Sequence, residues 1–95
     1  MVTHLHIGFT VKDCERWKKG YDASLDARKA SGEISYVVYR SADDPNVITV
    51  LSVQQSAERV RAFMDSPDLK ERMEAAGIVR MGQQLILEET DRGVH

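Results

Sequence analysis

His4 and His6 stand two residues apart in a run that alternates strictly between apolar and polar side chains, so both imidazoles leave a strand on the same side. A His-x-His pair has the geometry of two metal ligands. The sequence offers no third ligand beside them, and a polar pair at a rim or a subunit interface describes the same spacing. Trp17, Tyr21 and Arg28 fall on one stripe at helical spacing, and with Phe63, Met64 and Met73 they are candidates to line a pocket for a flat aromatic ligand. Plain core packing is the competing description of such a stripe. Arg28 stands out because a guanidinium among apolar neighbours either snorkels to solvent, the expectation here, or meets an anion, whether a carboxylate side chain or a ligand enolate. Tyr36, Tyr39 and Arg40 offer hydroxyl and guanidinium groups from what reads as a central strand, suited to a phenolate or a carboxylate. Cross-strand packing with a rim charge is the alternative. Asp43-Asp44-Pro45-Asn46 lacks the alternating acids and distant Glu of a calcium loop and reads as a turn. Cys14, the single cysteine, opens a helix with no histidine beside it in sequence and is taken as inert.

The elements that must position these residues follow from period and punctuation. Residues 2 to 11 form a half-buried strand, with Leu5, Ile7, Phe9 and Val11 on one face and His4, His6, Gly8 and Thr10 on the other. Asp13 caps a helix expected to run to about Ala30, with Gly20 in its interior at a cost of roughly 1 kcal/mol relative to Ala and Gly32 as its stop. Ile34 to Ser41 and Val47 to Gln54 form a hairpin about the Asp43–Asn46 turn. Ser56 caps a helix carrying Val60, Phe63 and Met64. Ser66-Pro67 starts another, with serine capping and proline first, that ends at Gly77. A last strand spans about Arg80 to Thr90, followed by a polar tail.

This order, βαββαβ with the second helix split, is that of a ferredoxin-like α+β fold: a four-stranded antiparallel sheet with helices on one face, in one domain covering residues 1–95. Both faces of the hairpin are apolar, Ile34, Tyr36 and Val38 alternating with Val37 and Tyr39. One face can meet helices. The other therefore calls for a second copy of the chain, a homodimer through the sheet face. The hairpin register, and hence which side chains face the helices, stays open at this level.

Composition sets outer limits. With 42% hydrophobic and 29% charged residues in 95, the chain makes a small core whose stability is modest unless a partner adds to it. A net charge of −2 with the two signs interspersed argues against a nucleic-acid partner. No apolar run approaches a bilayer span, the N-terminus lacks a signal-peptide pattern, and the expected compartment is the cytoplasm.

With its elements placed, the chain resembles the antibiotic-biosynthesis-monooxygenase-like proteins of the dimeric α+β barrel superfamily. The residues that carry the resemblance are Val11-Lys12-Asp13 with Trp17-Lys18, Arg28-Lys29-Ala30 before Gly32, Tyr39 to Asn46, and Ser66-Pro67-Asp68-Leu69 before Ala76-Gly77. It covers nearly the whole chain and is more specific for a fold than for a reaction. It implies a homodimer with sheets face to face, a pocket between each sheet and its helices, and cofactor-independent oxygenation or cyclisation of an aromatic, polyketide-like substrate. In that chemistry a phenol loses a proton and its anion reacts with oxygen, so no metal or other cofactor is expected. His6, Tyr36 and Arg40 would stabilise the anion; Trp17 and Tyr21 would stack the ring, with His4, Arg28, Phe63, Met64 and Met73 around it. The alternative is a non-catalytic metabolite-binding or interaction module, favoured if the cavity is too small for two rings. Haem degradation fits poorly, because no histidine of this chain lies on a predicted helix.

Overall fold

The computed structural model describes residues 2–95. Strand β1 (Thr3–Val11) leads to helices α1 (Cys14–Ala23) and α2 (Leu25–Ala30). The hairpin β2 (Glu33–Arg40) and β3 (Val47–Gln54) follows, then α3 (Ala57–Met64), α4 (Pro67–Ala75) and β4 (Ile78–Glu88). The strands form one antiparallel sheet in the order β2-β3-β1-β4. This is the ferredoxin-like α+β arrangement read from the sequence. The strand carrying Tyr36, Tyr39 and Arg40 differs from expectation in one respect: it lies at the sheet edge, because β1 pairs with β3 and β4 and leaves β2 a single neighbour.

Register fixes the two faces. Tyr36, Ser52, Leu5 and Ile86 stand in one row across the sheet, and Leu5 and Ser52 are buried beneath the helices. On the opposite face the matching row is Val37, Leu51, His6 and Leu85. The core gathers Phe9, Val11, Ile48 and Val50 against Trp17, with Tyr21, Val38 and Ile78 packed around it. Tyr36 and Tyr39 therefore serve different faces, as an odd spacing on a strand requires.

The punctuation residues act as their chemistry demands. The Asp13 carboxylate accepts hydrogen bonds from the backbone N–H of Glu15 and Arg16, and the Ser56 hydroxyl accepts one from Arg59. Gly32 and Gly77 take positive φ, 110° and 84°, to end the helices before them. Ser66 departs from the expected cap. Its backbone is extended and Pro67 occupies the first turn, but its hydroxyl makes no capping bond.

The long helix expected from Asp13 to Ala30 is broken at Ser24. The Ser24 hydroxyl donates to the carbonyl of Tyr21 at 2.7 Å, and its backbone turns to ψ 7°, so the chain restarts as a separate short helix. A second departure follows Gly32. The ladder opens on Glu33, one residue before the expected start, and a bulge between Glu33 and Ser35 leaves Ile34 62% exposed. Glu33 thereby pairs opposite Gln54, in line with the row that faces the helices.

Candidate functional site

Between the sheet and its helices lies a half-open cavity of about 170 Å³. Its floor is Leu5, Ile7, Phe9 and Val50 of the two central strands. One wall is Trp17, Tyr21, Ser24 and Arg28 of α1, α2 and their junction. The far side is Phe63, Leu69 and Met73 of the split crossover. The apolar stripe of α1 thus meets the sheet as its spacing predicts.

Along this wall the aromatic rings run in series. The centroids of Phe9 and Trp17 are 5.2 Å apart, Trp17 stacks on Tyr21 at 4.9 Å, and Tyr21 meets the edge of Tyr36 at 5.5 Å. The Arg28 guanidinium carbon lies 3.7 Å from the Tyr21 ring centre and 4.8 Å from that of Tyr36, a cation held between two π faces.

Arg28 does not snorkel: only 8% of the residue is exposed. The break at Ser24 explains this, since it turns the guanidinium inward toward a ready set of acceptors. Nε donates to Ser24 Oγ at 3.1 Å, Nη2 to the Tyr21 carbonyl at 2.9 Å, and Nη1 to Glu33 Oε2 at 2.5 Å. Removal from water raises the Glu33 carboxyl above its ordinary range, and the Arg28 charge and hydrogen bond pull it part of the way back. Burial also raises the Tyr21 phenol, reinforced by the nearby Glu33 charge, so Tyr21 stays a neutral O–H. That hydroxyl is buried without a hydrogen-bond partner.

Glu33 is the site residue that sequence reasoning missed. The available signal was an arginine on an apolar stripe, which needs an anion, with an acid five residues later beyond the Gly32 turn. Only the bulge decides that this acid faces inward.

The other expected site residues divide. Trp17, Tyr21, Arg28, Phe63 and Met73 line the cavity. Tyr36 does not line it, but touches it through Arg28 and Tyr21. Arg40 is exposed at the far end of β2. Met64 borders a separate groove with Arg61 and Gln84. His4 and His6 lie on the sheet face away from the helices, since β1 alternates and Leu5 points the other way. His4 Nε2 is 3.5 Å from Glu89 Oε2, and His6 Nδ1 is buried without a partner between Leu51 and Leu85. His6, Tyr36 and Arg40 are thus not brought together. Among the described residues no three His, Cys, Asp or Glu side chains cluster as a metal site would need. Cys14 packs against the core with a free thiol.

No family model matches the chain, and no curated protein does. Solved structures do. A protein from Bordetella bronchiseptica named after the antibiotic biosynthesis monooxygenases superposes with a TM-score of 0.78 at 13% identity, covering 94% of this chain and 97% of its own. SnoaB, a cofactor-independent oxygenase from Streptomyces nogalater, follows with TM-score 0.75 at 13% identity, covering 96% and 95%. A conserved protein from Methanosarcina mazei Go1 gives 0.73 at 15%, covering 95% and 94%. The fold is that of the antibiotic biosynthesis monooxygenases. At these identities the monooxygenase-type fold is what is shared, and the reaction has to be argued from this chain's own side chains. No helix among the described residues is long and apolar enough to cross a membrane.

Proposed function

We propose that this chain binds a small hydroxylated aromatic in the cavity between its sheet and helices and acts on it as a cofactor-independent oxygenase, in the manner the likeness to SnoaB suggests. The observation that carries the reading is a cavity with largely apolar walls and one buried charged corner, the exposed Arg72 also reaching its lining. Trp17, Phe63 and Met73 supply surface for a ring, and Arg28 is a buried cation beside which an aromatic oxyanion gains most. Tyr36, which holds Arg28 from its second face, positions that cation.

Assembly belongs to the same reading. The sheet face away from the helices exposes Val37 (48%), Leu85 (41%), Tyr39 and Leu87, a patch of the kind a second copy covers. We assign it to a homodimer in which the two sheets pack face to face.

A non-catalytic metabolite-binding module is favoured by one specific feature, the modest size of the cavity. Oxygen uptake separates the two. The purified protein, given a hydroxylated aromatic such as a single-ring hydroquinone, is expected to consume oxygen above the buffer rate. Uptake equal to buffer with every ring that binds would leave the binding module standing and overturn the oxygenase.

A further inference from the structure

We propose that the ligand is a single-ring phenol and that Glu33 Oε1 accepts its hydroxyl proton while Arg28 holds the phenolate that results. This rests on the aromatic-ligand reading above and adds a size class and a proton acceptor to it.

The size class follows from volume. A dry apolar cavity of roughly 150 Å³ admits benzene, while sites for larger ligands run from roughly 300 Å³ upward. At about 170 Å³ this cavity holds one ring and a polar substituent. Three fused rings exceed that volume.

The chemistry follows from what the charged corner leaves unused. Glu33 engages Arg28 through Oε2, and among the described residues Oε1 receives no hydrogen bond. Arg28 spends one N–H on each of three acceptors, and a guanidinium carries five. Tyr21 keeps a buried hydroxyl with no partner. One free acceptor, one free neutral donor and spare cationic N–H groups match a ligand hydroxyl before and after ionisation. The Tyr21 hydroxyl is the buried unpaired group among them, so a ligand that satisfies it gains what its isolation costs the empty site. In the step itself the ligand O–H bond breaks and the proton moves to Oε1. Glu33 becomes neutral, the negative charge passes to the ligand oxygen, and the guanidinium exchanges one anionic partner for another. The charge of the corner is unchanged and no oxidant enters. Burial makes Glu33 a better proton acceptor than an exposed carboxylate, which assists the transfer.

The probe is para-nitrophenol, whose phenolate is yellow, buffered below the dye's own ionisation midpoint. The wild-type protein is expected to turn bound dye yellow saturably. In Glu33→Gln the unpaired Arg28 can still hold the dye as phenolate, but the proton then has nowhere to go except buffer, so the binding heat of yellow dye should become dependent on the ionisation enthalpy of the buffer. Calorimetry of the wild type gives a check that needs no variant: if the proton stays on Glu33, the binding heat is the same in buffers of different ionisation enthalpy. Tyr21→Phe, which deletes only the orphaned hydroxyl, should weaken phenols about tenfold and leave toluene unaffected. A full proton released to buffer by the wild type, or binding of yellow dye with the same proton balance in wild type and Glu33→Gln, would overturn Glu33 as acceptor while the aromatic site survived. Naphthol- or anthrone-sized rings binding as tightly as phenol would overturn the size class. Failure of every aromatic to bind would remove the underlying reading itself.

Discussion

At the scale of single residues the site turns on Arg28 and Glu33, a buried pair whose members cannot be removed one at a time without penalty. Arg28→Met leaves the Glu33 carboxylate without its counter-charge, and the expected loss is about 3 to 5 kcal/mol in denaturant unfolding. The double replacement Arg28→Met with Glu33→Gln should recover much of it. Glu33 also imposes a pH dependence. Its carboxyl is raised in the folded state, so the folded form holds that proton more tightly than the unfolded chain does. The resulting stabilisation is fully present below the ordinary carboxylate range and is lost as pH rises through the raised value. The stability difference between wild type and Glu33→Gln should therefore decline across that window, as read from melting temperature against pH. Glu89 contributes with the opposite sign, because Arg92 and His4 lower it, but it is common to both proteins and cancels in the difference. The arginine could be singled out from sequence, since a guanidinium on an apolar stripe demands an explanation. Its answer could not. Snorkelling and ion pairing differ only in where Ser24 breaks the helix and where the Glu33 bulge falls, and neither has a period to read.

At the scale of elements, the strands, capped helices and glycine stops were legible because each rests on local chemistry: alternation in β1, an Asp13 cap, positive φ at Gly32 and Gly77. The helix break and the edge position of β2 were not. The break rests on a single side-chain bond from Ser24 to the Tyr21 carbonyl, which leaves no mark on the apolar period, and the edge position is decided only when β1 inserts between β3 and β4. Two glycines now have distinct expectations. A methyl on Gly20 would sit 3.9 Å from Ala76 Cβ, an ordinary contact, so Gly20→Ala should gain about 1 kcal/mol of helix propensity and raise Tm by about 4 to 8 °C. Gly82 is the reverse case. A Cβ there would stand 3.0 Å from the backbone oxygen of Gly8 across the β1–β4 irregularity. Because the obstacle is main chain, Gly82→Ala should lower stability by about 1 to 3 kcal/mol in the same assay.

At the scale of the molecule, the chain is a slab, 35 × 35 × 20 Å, with helices on one side and a bare sheet on the other. The row Val37, Leu51, His6 and Leu85 crosses the middle of that bare face. Doubly apolar strands made a second copy an expectation from sequence alone, and Val37, Leu85 and Leu87 are the exposed residues we propose that it covers. Sedimentation equilibrium should report a dimer at micromolar concentration, and a double Val37→Glu, Leu85→Glu variant should sediment as a folded monomer. A wild-type monomer would contradict the assembly. The cavity faces the other way, away from this surface, and its central claim, that it is a site for a small aromatic ring, has a built-in reporter. Trp17 is the sole tryptophan, buried, stacked on Tyr21 and lining the wall. Titration with phenol is predicted to change its fluorescence saturably, with toluene competing for the same sites. Emission that stays unchanged up to the solubility of single-ring phenols would contradict the account.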